Sequence, residues 1–86
     1  MSRGTKARPE QAQHAIGRAI AQAMRERGVS QDAMAKQILQ PDGRPVSQSH
    51  ISRALRGVSA LTLPELIRMC EVLDIRPGDL LEQAGF

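Results

Sequence analysis

Apolar residues recur at intervals of three and four along most of the chain, which is the spacing that one buried face of an α-helix requires. The clearest stretch covers residues 10–27, where polar side chains separate the apolar positions Ile16, Ala19, Ile20, Ala23 and Met24. Pro9 is well suited to the first turn of such a helix, and Gly28 to its end. The pattern therefore predicts one long amphipathic helix.

A second, shorter helix is predicted after Ser30, which is a favourable N-cap residue. Asp32 follows it near the positive end of the helix dipole. The inward positions are Met34, Ala35 and Ile38. Residues 40–45 contain two prolines and an Asp-Gly pair, so they cannot continue the helix and predict a turn.

A third helix is predicted from Ser47, its N-cap, to Gly57. Ile51 and Leu55 form an apolar pair four residues apart. Nearly all the other positions are polar or basic, namely Gln48, Ser49, His50, Ser52, Arg53 and Arg56. Such a helix can bury only a narrow stripe, so most of its surface must face outward.

Two more helices complete the predicted fold. Thr62 and Glu65 have the spacing of a capping box at the start of the fourth helix. Its expected inward residues are Leu66, Ile67, Cys70 and Leu73. A short fifth helix begins near Arg76 and carries Leu80 and Leu81. Valine and isoleucine never alternate with polar residues, so no strand is predicted. The fold class is all-α, with five helices.

Composition narrows the class of protein. The chain has 86 residues, enough for one small domain, which we place at residues 9–86 behind a basic arm at residues 1–8. Phe86 is the only aromatic residue, so the chain lacks the stacking platform of single-strand and RNA-binding modules. One cysteine excludes a disulfide framework. No apolar run exceeds three residues, which predicts a cytoplasmic protein without a membrane span.

The distribution of charge is more informative than the net charge of +3. Residues 1–8 carry three bases and no acid, and residues 43–64 again carry three bases and no acid. Residues 65–86 carry two bases and five acids. This segregation indicates a basic face, for which nucleic acid is a common partner, and an acidic end that faces away from it.

The third helix carries the chemistry that such a face needs. An exposed helix surface is usually filled with Glu and Lys pairs. Here it presents short hydrogen-bonding groups and two arginines without an acid, which suits the reading of base edges in a major groove. A solvated polar face with no ligand is the alternative interpretation.

The run at residues 29–35, followed by residues 46–57, resembles the helix-turn-helix of the phage lambda repressor/Cro-like (Xre-type) DNA-binding proteins. The similarity continues through residues 62–66 and 70–75 to residues 79–81. The resemblance implies that the second and third helices form the DNA-binding unit, with the third in the major groove.

Carried over by position, the resemblance implies a role for each polar residue of the unit. Gln31 would bind a backbone phosphate, and Ser47 would cap the third helix and also touch phosphate. The implied contacts to bases or backbone are Gln48, Ser49, His50, Ser52 and Arg53. Arg56 would clamp a phosphate or pair with an acid within the fold. Ala35, Ile51 and Cys70 match core positions, so Cys70 is expected to be an inert buried thiol.

The chain departs from the family pattern between the second and third helices. Leu39 stands where the family often has glycine, and about six extra residues lie within residues 40–45. This insertion displays Arg44, a candidate contact to phosphate or to a neighbouring groove, and the alternative is a longer solvated turn without a ligand. In the arm, Arg3, Lys6 and Arg8 are candidate phosphate contacts as well, or belong to a segment that binds nothing.

The sequence predicts a sequence-specific regulator of double-stranded DNA, of the kind found in bacteria and phages, that represses by occupying an operator as a homodimer. Two alternatives stay open: an antitoxin that binds a toxin and represses its own operon, and an interaction module without DNA binding. Leu80, Leu81 and Phe86 are one candidate dimer surface. No catalytic constellation, cofactor motif or metal-ligand pattern was found, so neither enzyme activity nor a cofactor is predicted.

Overall fold

The computed structural model describes the backbone of residues 9–86 and the side chains of residues 11–86. Residues 9–86 form five helices: α1 (Pro9–Arg27), α2 (Gln31–Gln37), α3 (Gln48–Leu55), α4 (Leu63–Leu73) and α5 (Pro77–Gln83). The predicted all-α architecture is confirmed. The arm residues Arg3, Lys6 and Arg8 lie outside the described part of the chain.

The predicted caps fix where three helices begin. The Ser30 Oγ accepts a hydrogen bond from the Ala33 N–H at 3.1 Å, and the Ser47 Oγ accepts one from the His50 N–H at 3.1 Å. Thr62 and Glu65 form the reciprocal capping box of α4. Each cap satisfies a backbone N–H that has no partner within its helix.

One apolar core holds the five helices together. α3 packs against α1 and α2, while α4 packs against α1, α2 and α5. The largest fully buried side chains are Ile20, Met34, Ile38, Ile51, Met69, Cys70, Leu73 and Leu80. The expectation that Ala35, Ile51 and Cys70 are core residues is confirmed. Burial raises the pKa of the Cys70 thiol, which keeps it in the unreactive neutral form.

Two expectations about apolar faces were wrong. Ile67, expected to face inward, has 42% of its surface exposed, and Met69 is fully buried in its place. The stripe of α4 follows Leu66, Met69, Cys70 and Leu73, and Ile67 lies about 100° around the helix from Leu66. Leu80, expected on a dimer surface, is fully buried because it closes the core under α5.

The insertion between α2 and α3 forms a small hairpin. Leu39 and Pro45 make an isolated antiparallel bridge, and the Gln40 N–H donates to the Arg44 carbonyl at 2.8 Å. Gly43 closes the turn with a φ of 87°, a conformation that favours glycine. The Val46 N–H then donates to the Ile38 carbonyl at 2.9 Å, so the hairpin leads directly into α3. The predicted turn is thus an ordered structure with its own hydrogen bonds.

Candidate nucleic-acid interface

α3 is divided lengthwise into a buried face and an exposed face. Ile51, Ala54 and Leu55 are buried against α1 and α2. Opposite them, the exposed or half-exposed residues are Gln48, Ser49, His50, Ser52, Arg53 and Arg56. The structure thus gathers the predicted contacts of α3 on one surface.

The polar face of α3 has no internal acid to compete with phosphate. Arg53 is exposed, and its side chain makes no hydrogen bond or ion pair with another described residue. The Arg56 Nε donates to the Ser52 carbonyl at 3.4 Å, so Arg56 bonds to the helix and not to an acid of the described fold. Two guanidinium groups are therefore available along the outward side of α3.

A groove runs beside α3, and we call it the α3–α4 groove. Its volume is about 780 Å³, and it lies between the hairpin, α3 and the start of α4. The hairpin side is largely apolar, with Ile38, Leu39, Pro41 and Val46. The opposite side is polar and contains Ser47, His50 and Arg53 from α3, and Glu65 and Arg68 from α4.

His50 and Glu65 join the two helices across this groove. The His50 Nε2 lies 2.8 Å from the Glu65 Oε2, while the Glu65 Oε1 accepts a hydrogen bond from the Thr62 N–H at 2.9 Å. Partial burial raises the pKa of Glu65, but hydrogen bonds from Thr62 and His50 outweigh it, so the net pKa is lowered. One carboxylate thus caps α4 and holds the first turn of α3.

Arg44 lies in the hairpin between α2 and α3 and already has a partner. The Asp42 Oδ1 accepts from the Arg44 N–H at 3.0 Å, and the Asp42 Oδ2 accepts from the Arg44 Nε at 2.9 Å. These hydrogen bonds lower the pKa of Asp42. The Arg44 side chain remains 80% exposed. The hairpin therefore displays an ion pair in place of an uncompensated positive charge.

Gln31 is the first residue of α2 and is half-buried, next to the Ser30 cap. It lies on the element that packs directly against α3, at the end where backbone N–H groups point outward. This is compatible with the predicted phosphate contact. Arg68 was not predicted as a functional residue; its Nε donates to the carbonyl of Gln37 at 3.2 Å and so ties α4 to the end of α2.

The sequence predicts only one of the two roles of Glu65, its part in the helix cap. The Thr62–Glu65 spacing identified the cap, which is a local pattern. The contact with His50 joins residues 15 positions apart, and nothing in the spacing indicates it. The described residues contain no group of three or more His, Cys, Asp or Glu side chains arranged to hold a metal ion.

A comparison with protein-family models identifies the family of the chain. The model described as Helix-turn-helix matches residues 20–80, well over half of the chain. The chain belongs to the Xre/lambda repressor-like helix-turn-helix family. A search of curated proteins found no match.

Membership of this family indicates the general function of the chain. At this level the helix-turn-helix chain is a DNA-binding transcription regulator, in a family that is typically non-enzymatic. The match begins inside α1 and extends through α2 and α3 into α5, so it includes the whole helix-turn-helix unit and the hairpin. No helix in the described part of the chain is long and apolar enough to cross a membrane.

Proposed function

We propose that the chain is a sequence-specific repressor that occupies an operator in double-stranded DNA, with α3 in the major groove. The observation that supports this most directly is the acid-free polar face of α3. Its first turn is held by the Ser47 cap, and Gln48 and Ser49 are exposed beside it. A rigid helix of short polar groups and arginines can enter a major groove and bond to base edges.

The proposed contacts fall into two groups. Gln48, Ser49, His50, Ser52 and Arg53 face the bases or the nearby backbone. The proposed phosphate contacts are Gln31, Ser47, Arg56 and Arg44, with Arg3, Lys6 and Arg8 of the arm. The phosphate contacts supply affinity without sequence information, whereas the first group supplies the preference for one sequence.

We also propose that the repressor acts in the cytoplasm and binds as a homodimer to a two-fold symmetric site, with half-sites about 34–36 Å apart. Leu81 is half-buried and Phe86 is exposed, so both stay candidates for the dimer surface, whereas the buried Leu80 does not. Leu63 and Ile67 add a second exposed apolar pair, four residues apart on α4. This exposed pair offers an apolar surface to a protein partner, so we keep the role of an antitoxin that binds a toxin as the second candidate.

The experiment is a selection of bound sequences from a random DNA pool, followed by mobility shifts with the selected and a scrambled site. Gln48→Ala and Arg53→Ala should lower the affinity for the selected site. Gln83→Ala and Arg76→Ala remove the same side-chain types from exposed positions near α5 and should leave the affinity unchanged. A pool without enrichment, or equal binding of both sites, contradicts the proposal and favours an interaction module.

A further inference from the structure

We propose that Glu65 sets the hydrogen-bonding direction of His50, so that neutral His50 reads an exocyclic amino group of cytosine or adenine in the major groove. The inference rests on the proposed function and identifies a specificity determinant within it. Glu65 itself acts as a positioning residue, since it lies on α4 and works through the imidazole.

The carboxylate of Glu65 is held from two sides. Its Oε1 accepts from the Thr62 N–H at 2.9 Å, and the Thr62 Oγ1 accepts from the Glu65 N–H at 3.2 Å. The Oε2 is thereby directed to the His50 Nε2 at 2.8 Å. The Glu65 side chain is only 16% exposed, and that of His50 is 30% exposed. The pair is therefore sheltered, while part of the His50 side chain stays exposed.

An ionised carboxylate can only accept hydrogen bonds, so the His50 Nε2 must carry the hydrogen. The lowered pKa of Glu65 keeps the carboxylate ionised at neutral pH. A neutral imidazole has a single N–H, and Nδ1 is therefore left with a lone pair. Nδ1 makes no hydrogen bond with another described residue, which leaves it as an acceptor on the third residue of α3.

A hydrogen-bond acceptor at the His50 Nδ1 discriminates among the edges of the bases. In the major groove, cytosine N4 and adenine N6 donate hydrogen bonds, whereas guanine N7 and O6 and thymine O4 accept them. Phosphate oxygens also accept. An Nδ1 lone pair bonds to the amino groups and is repelled by the acceptors. Neutral His50 thus has the opposite preference from a histidine that donates to guanine or phosphate.

The same geometry makes the preference depend on how many protons the His50 ring carries. Besides His50 and Glu65, the charged groups that line the α3–α4 groove are Arg53 of α3 and Arg68 of α4, and the hairpin contributes only neutral side chains. Arg68 is bonded to Gln37 and Glu71. A second proton on His50 creates an N–H at Nδ1, which turns the acceptor into a donor suited to guanine or phosphate.

Nitrogen NMR of the free protein tests the first step without DNA. At pH 8, the two ring nitrogens of His50 should show the Nε2–H tautomer. Glu65→Gln places an amide near Nε2 while its oxygen can still accept from Thr62, so this isosteric change should favour the Nδ1–H tautomer. Glu82→Gln, on the exposed surface of α5, should leave the His50 signals unchanged. An Nδ1–H tautomer in the wild-type protein overturns the inference.

Selection from a random DNA pool at pH 8 tests the second step. The wild-type protein should enrich cytosine or adenine at one position of each half-site, by about threefold to tenfold over the other bases, as for one net hydrogen bond. Glu65→Gln should enrich guanine or thymine there. His50→Ala should lose the preference at that position and keep it elsewhere.

Two outcomes separate this inference from the proposed function. Enrichment of the same base by the wild-type protein and by His50→Ala overturns the inference and leaves the proposed function intact. The absence of enrichment at every position overturns the proposed function, and the base-reading step with it. Circular dichroism of each variant shows whether the helices form, and His50→Ala gives a second measurement if Glu65→Gln does not fold.

Discussion

The Cα of Gly17 in α1 lies so close to the carbonyl group of Leu55 that an added Cβ would stand 2.4 Å from the carbonyl oxygen. The carbonyl oxygen of Ala54 would be 2.9 Å away. Both neighbours are backbone atoms near the end of α3, so no side-chain rotation can make room. The backbones of α1 and α3 thus meet directly, and this contact fixes the position of α3 in the fold.

We expect Gly17→Ala to destabilise the protein by about 1–3 kcal/mol, the usual cost of forcing an extra carbon into a packed site. In an exposed helix the same change normally stabilises by about 0.5–1 kcal/mol. Gly78→Ala in α5 is the control, because an added Cβ there meets nothing within 4 Å. Urea denaturation measures both. Equal stability of the two variants would contradict the close approach of α1 and α3.

Gly57 ends α3 with a φ of 76°, and an added Cβ would lie 2.6 Å from the Nδ1 of His14. Gly28 ends α1 with a φ of 69° and has nothing within 4 Å of such a Cβ. Gly28→Ala should therefore cost about 1–2 kcal/mol from backbone strain alone. Gly57→Ala should cost more because of the clash, and His14→Ala in that background should restore part of the difference. Thermal unfolding measures the change in Tm of each variant. Equal decreases in Tm for Gly28→Ala and Gly57→Ala would show that the clash with His14 is relieved.

The helices and their caps could be predicted because they depend on neighbouring residues. Ser30, Ser47 and Thr62 cap where the sequence places them, and Gly28 and Gly57 end α1 and α3 as predicted. The burial of α4 could be predicted only in part. Apolar residues lie on both sides of Leu66 around α4, so the spacing alone does not indicate which of them are buried. The packing of α1, α2 and α5 buries Met69 and leaves Ile67 exposed.

The sequence predicts which surface forms the candidate site, but it does not predict the contacts between the side chains there. The acid-free stretch of α3 is visible in the sequence, and the structure gathers its polar residues on one side. The partners of His50 and Arg68 come from elements far away in the chain, so local spacing cannot indicate them. The prolines and the Asp-Gly pair predict a turn in the insertion, but they do not indicate the bridge between Leu39 and Pro45.

Stability should depend on the ionisation of Glu65. Its pKa is lowered in the folded protein, so its stabilising contribution is present above the ordinary glutamate pKa of about 4.3 and is lost as the pH falls through the lower, folded value. At pH 6 we expect Glu65→Gln to be less stable than wild type by about 0.5–1.5 kcal/mol, and the gap to shrink toward pH 3. Urea midpoints across this range measure it. Glu82→Gln should keep the wild-type slope, and a pH-independent gap would contradict the expectation.

Asp42 should weaken the attraction of the hairpin to DNA, since it neutralises Arg44 through two hydrogen bonds. Asp42→Asn keeps an oxygen for the Arg44 N–H and removes the charge. We expect tighter DNA binding at low salt and a steeper salt dependence, by about 0.9 in the slope of log K if Arg44 then binds one phosphate. Asp79→Asn removes the same charge from α5 and should leave the slope unchanged. Identical slopes for the two variants would place Arg44 away from the DNA backbone.

Arg53 and Arg56 should differ in what they contribute to binding. The Arg53 side chain has no hydrogen-bond or ion-pair partner among the described residues and lines the α3–α4 groove, and we propose that it contacts base edges. We expect Arg53→Ala to cost about 1–3 kcal/mol on the selected site and to relax the base preference at one position. Arg56 is bonded to the Ser52 carbonyl at the C-terminal end of α3, and we propose that its guanidinium contacts phosphate.

Arg56→Ala should accordingly weaken selected and scrambled DNA alike and reduce the salt slope by about 0.9. Mobility shifts on both DNAs at several salt concentrations separate the two roles, with Arg76→Ala as the arginine control outside the proposed interface. If Arg53→Ala also weakened both DNAs equally, Arg53 would be a phosphate contact. Sequence reading would then fall to the first turn of α3, where Gln48 and Ser49 are exposed and His50 is held by Glu65.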